Sequence, residues 1–176
     1  MRRSAAAALA AAALLPGCGG RPAAPPEPPA RTEVSGYFVG RSDTGLGAAV
    51  DFSGFDDTSL ALREALDPGA RPDRRRLEIG IVSLVNSGDV PVALPAFRAV
   101  GRDGREVPLA PAGRALAGRR GAAAARAREL LPRARAVPAQ GTATLYVVLE
   151  GMRIADVAEV AMGFGPASTR LRPEER

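Results

Sequence analysis

The chain reads as a mainly β domain, an antiparallel two-sheet sandwich with one or two short helices, and three observations lead there. From Gly36 onward, short apolar runs alternate with turn-forming residues, which is the signature of all-β domains. Six to eight such runs fit within about 140 residues, the density of a two-layer antiparallel fold. The clearest run, Leu77 to Val85, places Leu77, Ile79, Ile81, Ser83 and Val85 on one face and Glu78, Gly80, Val82 and Leu84 on the other. Both faces become apolar towards its end, so it belongs at the centre of a sheet.

The elements follow in order. Tyr37 to Val39 opens the domain and Leu46 to Phe52 supplies a second strand. Ser59 to Leu66 is rich in helix formers and stops at Asp67-Pro68-Gly69, which predicts a short helix capped by Asp57 or Thr58. After the central run, Asn86-Ser87-Gly88-Asp89 is a turn signal. Val90 to Val100 resumes the strand pattern, and Pro91 and Pro95 within it imply an edge or a bulge. Asp103-Gly104 between apolar flanks predicts a hairpin leading into Glu106 to Leu109. Ala122 to Leu131 should be helical and end at Pro132. Thr142 to Leu149 and Val157 to Phe164 are the last full strands, with a short pairing at Leu171.

The order of motifs carries a resemblance. Glu78 to Asn86, the turn to Val92, Phe97, Asp103-Gly104, then Val137-Pro138-Ala139-Gln140-Gly141 before Thr144 to Leu149, resembles the immunoglobulin-like domain of uncharacterised bacterial lipoproteins. It covers roughly residues 77 to 165, and it implies an immunoglobulin-like β-sandwich over residues 35–172. The Ala/Arg-rich insertion at about 111–136 departs from that pattern, and the Cys and Trp core hallmarks of immunoglobulin domains are absent.

Ahead of this domain lies an export leader. Met1-Arg2-Arg3-Ser4 is cationic, Ala5 to Leu15 is apolar, and Gly17 precedes the only cysteine, Cys18, which is the layout of a signal peptide. A spanning helix needs ~20 apolar residues, and Pro16, Gly17, Gly19 and Gly20 break this run well short of that. Leu15-Pro16-Gly17-Cys18 resembles the lipobox of bacterial lipoproteins, with Pro16 departing from the usual small residue. The resemblance implies cleavage between Gly17 and Cys18 and a diacylglycerol on the cysteine thiol. Residues 1–17 are then the signal peptide and residues 18–34 a lipidated cysteine with a proline-rich, disordered linker. At ~3.1 Å per residue in an extended polyproline conformation, such a linker reaches on the order of 45 Å. The expected location is the cell membrane or outer membrane, with the domain facing the periplasm or exterior.

Composition narrows the chemistry. Removing the leader leaves 22 arginines against 19 acids, a net charge of +3, and there is no histidine, lysine or tryptophan. A gene of high GC content explains the arginine and alanine bias more simply than nucleic-acid binding does, and scarce aromatics remove stacking platforms. Without histidine or a second cysteine, nitrogen and thiolate metal sites are excluded. A Ser-His-Asp or Ser-Lys hydrolase is excluded because the chain has neither histidine nor lysine to serve as the base. No cofactor is expected, and only carboxylate-pair hydrolysis stays open among enzymes.

Four groups merit attention. Arg114, Arg119, Arg120, Arg126, Arg128, Arg133 and Arg135 crowd the insertion beside one acid, Glu129. They form a candidate surface for anionic lipid or wall polymer, against the simpler reading of a solvated insertion whose Leu116, Leu130 and Leu131 cover one end of the domain. Asp51, Asp56 and Asp57 form the best acidic cluster but lack calcium-loop spacing, and capping explains Asp57. Glu150, Asp156 and Glu159 flank the last strand pair and read as turn residues. Tyr146 reads as core, its hydroxyl on a backbone partner. The expectation is a non-enzymatic envelope lipoprotein, held in the membrane through Cys18, with a binding or structural domain for an unknown envelope protein or polymer. Electrostatic anion binding is the alternative and a carboxylate hydrolase the remote one.

Overall fold

The computed structural model describes residues 36–69, 77–164 and 167–174. Ten strands form: β1 (Tyr37–Arg41), β2 (Leu46–Asp51), β3 (Leu77–Asn86), β4 (Val92–Ala93), β5 (Ala96–Gly101), β6 (Glu106–Pro111), β7 (Ala136–Val137), β8 (Gly141–Glu150), β9 (Val157–Phe164) and β10 (Ala167–Pro173). Among the described residues three α-helices accompany them, α1 (Asp57–Leu66), α2 (Ala112–Ala115) and α3 (Ala122–Leu130), with a 3-10 turn at Ile154–Asp156.

Eight strands close into an antiparallel barrel in the order β1-β10-β9-β5-β6-β8-β3-β2, and β4 pairs with β7 in a separate two-stranded sheet. This overturns the immunoglobulin-like sandwich. A sandwich keeps two sheets with open edges, whereas here the first strand pairs with the last, Phe38 opposite Pro173 and Val39 opposite Arg172. Closure removes those edges. The short pairing expected at Leu171 is in fact the seven-residue strand β10, which completes the ring.

The expected central strand is central: β3 pairs over its whole length with β8 and along six residues with β2. Pro95 divides the Val90 to Val100 run, leaving β4 outside the barrel and β5 within it. The Asp103-Gly104 hairpin forms as expected between β5 and β6, with Gly104 at a φ of 80° that a side chain would disfavour.

Alternation sorts the apolar residues into two layers. The barrel interior holds Phe38, Val50, Val82, Leu84, Leu149 and their neighbours, as expected of a barrel narrow enough for side chains to fill. A second cluster lies outside it, where Leu62 and Leu66 of α1, Leu116, and Ala124 and Ala127 of α3 cover Ile79 of β3 and Tyr146 and Val148 of β8. Both faces of β8 are therefore buried from Tyr146 to Leu149. On β3 the outer face is covered at Ile79, while Ser83 and Val85 beyond the helices are exposed.

Candidate functional site

The helical layer is anchored by Asp56. Its carboxylate caps α1 by accepting from Ser59 N at 2.7 Å, while Ser59 Oγ accepts from Asp56 N at 2.9 Å, completing a capping box. The cap is thus Asp56, one or two residues earlier than expected. Tyr146 faces outward beneath α1 and donates its hydroxyl to Asp56 Oδ2, a side-chain partner where a backbone one was expected. Burial pushes the Asp56 carboxyl up, but the bonds from Tyr146, Ser59 and Thr58 outweigh it and hold the group below its usual range. Burial and the neighbouring carboxylate raise the Tyr146 phenol, against an opposing bond with Thr58.

The sign of the resulting pH dependence follows from these directions. A depressed carboxyl contributes stability above its unfolded pKa of ~3.9 that is lost as pH falls through the folded value, and a raised phenol contributes stability below ~10 that is lost as pH rises through the folded value. Urea midpoints of the wild type should therefore fall at both extremes. Tyr146→Phe should flatten the alkaline arm and reduce the acid arm, and an unchanged alkaline arm would show that the phenol does not couple to folding.

Beside this helical layer β6 runs along β8. β6 and β8 share only two paired positions, Ala110 with Val148 and Pro111 with Val147. Pro111 has no N–H, so the reciprocal hydrogen-bonded pair is Ala110 with Val148, and alternation makes Pro108 and Glu150 the next hydrogen-bonding positions, beyond Leu109 and Leu149. Pro108 cannot donate, and the ladder stops there.

A groove between this junction and the helices has a volume of about 1150 Å³. Val107, Pro108 and Ala110 line it from β6, Leu77 and Val148 from β3 and β8, and Leu66 and Asp67 from the end of α1. Arg114 on α2 and Arg119 on the following loop supply cationic positions, and Glu150 an anionic one. Arg128 reaches back from α3, its Nη2 donating to Leu116 O at 2.8 Å and Arg119 O at 2.5 Å. That clamp fixes the loop bearing Arg119.

The sequence-identified groups thus divide. All seven arginines of the insertion are exposed, but two line the groove and Arg128 serves as a backbone clamp, while Arg120, Arg126, Arg133 and Arg135 do not line it. Leu116 is fully buried in the helical layer on the side of the barrel, and Leu130 is exposed, so the insertion does not cap one end as expected. Asp51 folds its carboxylate back onto Ser53 N, Ser53 Oγ and Gly54 N. Among the described residues no group of three or more acids, histidines or cysteines is placed to hold a metal ion. Glu159 pairs with Arg170 at 2.6 Å, and Asp156 borders a separate small hollow with Arg102 and Arg105. Gly17 and Cys18 lie outside the described residues.

Pro108 escaped the sequence reading. Its signal was present, because a proline inside an apolar strand marks an edge or an interruption.

Fold and site together define a closed eight-stranded antiparallel barrel with a helical flank and a groove beside the short β6–β8 ladder. No protein family, no characterised protein and no solved structure matches the chain.

Proposed function

We propose that the chain is an envelope lipoprotein, acylated at Cys18, whose barrel is a binding module that takes its ligand in the groove beside β6 and β8. The groove carries this reading: it joins an apolar wall to charged positions held by a braced loop, the composition of a recognition site. The leader ending at Cys18 and the proline-rich spacer support the anchor. A histidine- and lysine-free composition supports binding over nucleophilic catalysis.

Two measurements test it. Wild type should partition into the detergent phase and Cys18→Ala into the aqueous phase, and equal partitioning would remove the anchor. A photo-crosslinking residue at Ala115, in the groove, should capture a ligand in intact cells that the same residue at Val85, exposed on the barrel away from the groove, does not. Equal capture at both positions would remove the groove reading.

Exposure of all seven arginines favours a second reading, electrostatic association with anionic lipid or wall polymer. Binding to anionic vesicles would then fade as salt rises and be lost when Arg120, Arg126, Arg133 and Arg135, which lie outside the groove lining, become glutamine. Association that survives both changes rules this reading out.

A further inference from the structure

We propose that the barrel end at which the chain enters from Cys18 is the face that meets the membrane, with Phe55 seated among the headgroups of the bilayer that holds the anchor. The inference rests on the acyl anchor of the reading above and adds which face of the barrel that anchor brings to the lipid.

Chain geometry supplies the first argument. Eighteen positions separate Cys18 from Gly36. The Gly36 carbonyl accepts from Phe52 N at 2.7 Å, and a Cβ on Gly36 would lie 3.5 Å from Ser53 N and 3.5 Å from Ile154 Cγ1. The entry point therefore adjoins the loop between β2 and α1 and the loop between β8 and β9. Phe55 stands on the first of these, three positions after Phe52. A tether of this length keeps that end at an effective concentration on the order of millimolar at the surface, so a small apolar contact is enough to orient the barrel.

The loop supplies the second. A single exposed apolar side chain is ordinary on a protein surface, but Phe55, 62% exposed, is held out by contacts on both sides. Before it, Asp51 Oδ1 accepts from Ser53 N at 2.8 Å and Gly54 N at 3.1 Å. After it, Asp56 forms the capping box of α1. The Arg63 guanidinium lies 5.3 Å from the ring centroid and also faces Glu78, with Nη1 3.6 Å from Oε2. The loop is thus braced with the ring outside the barrel, while Phe52 occupies the interior. An aromatic ring beside a cation suits the headgroup layer, with acyl chains on one side and phosphates on the other.

Charge at this end is mixed, with Arg102, Arg105 and Arg153 exposed alongside Asp103 and Asp156. Such a rim does not select anionic lipid, so the contact is apolar and salt should leave it in place.

The chain has no tryptophan, so Phe55→Trp and Val90→Trp each install a single reporter. Val90, 67% exposed, follows β3 at the opposite barrel end, where Asn86 pairs with Leu46, whereas β2 ends towards Phe55 at Asp51. The full chain, exported and processed in a bacterial host, is reconstituted with phosphatidylcholine vesicles, and flotation reports the anchor independently. Emission of Phe55→Trp should shift to shorter wavelength on vesicles at low and high salt, while that of Val90→Trp keeps its solution position. A ring seated ~5–10 Å into the boundary of headgroups and acyl chains should be quenched more by lipids brominated near the headgroup than near the acyl terminus. A chain that floats while Phe55→Trp keeps its solution spectrum, or an equal shift in Val90→Trp, overturns the inference and leaves the anchor standing. A chain that does not float removes the anchor and the inference with it. A shift that grows with protein concentration without vesicles would mean that a second copy covers Phe55. A shift confined to anionic vesicles and lost in salt would assign the contact to the arginines of the insertion, and either result overturns the inference.

Discussion

Phe38→Ala should lower the unfolding free energy of the barrel by ~3–5 kcal/mol, the range for emptying a buried aromatic site. Phe38 is completely buried on β1, where the barrel closes against β10. Its ring meets that of Phe52 edge to face, with centroids 6.2 Å apart and planes at 86°, an arrangement that adds ~0.5–1.5 kcal/mol beyond simple burial. Collapse around the cavity is limited on the far side as well. Phe52 lies directly over Gly80, where an added Cβ would sit 2.9 Å from Phe52 Cε1 and 3.0 Å from Val147 Cγ2. Phe52 is thus already fitted against β3 and β8. Urea denaturation should show a lower midpoint with an unchanged slope, and Phe38→Leu should recover most of the loss. A loss below ~1 kcal/mol would show that the barrel interior repacks freely, contrary to close packing.

Asn86→Ala should cost ~2–4 kcal/mol, from three lost hydrogen bonds at ~0.5–1.5 kcal/mol each. Asn86 is buried at the end of β3, and its amide satisfies three backbone groups: Nδ2 donates to Val90 O at 2.8 Å and Pro138 O at 2.9 Å, and Oδ1 accepts from Gly88 N at 2.9 Å. It therefore ties the turn after β3 to the turn before β8. Gln140 reinforces the link through its N–H to Gly88 O at 3.0 Å and its side chain to Asp89 at 2.6 Å. Removing Asn86 takes a shared partner from two carbonyls and one amide of half-exposed turns and so unties them. Amide exchange should accelerate at Gly88 and Gln140 first. Protection at Gln140 that persists in the variant would show that the two turns are held together by something else.

Much of the fold was legible locally. The alternation in Leu77 to Val85, the stop at Asp67-Pro68-Gly69 and the Asp103-Gly104 hairpin each follow from neighbours within a few residues, and each appears where the pattern puts it. The α1 cap was misread by one or two positions because Asp56, Asp57 and Thr58 are all competent caps. Which one serves is decided by Tyr146, 90 residues away. The site was less legible still. The insertion's arginines look alike in sequence, but the fold sends Arg114 and Arg119 to the groove and turns Arg128 into a clamp.

By itself the sequence determined strand-rich architecture, the positions of most strands and turns, and the exclusion of histidine- and lysine-dependent chemistry. These are properties of composition and of short-range periodicity. Only the tertiary structure decided that the sheet closes, through β1 against β10, and that a groove lies beside Pro108 on the outside of β6 and β8. A sandwich and a barrel demand the same inward and outward alternation from each strand, so the distinction resides in pairings between residues more than 130 positions apart, such as Phe38 with Pro173. No local pattern encodes them, because they are set by which closure buries the shared apolar face most completely.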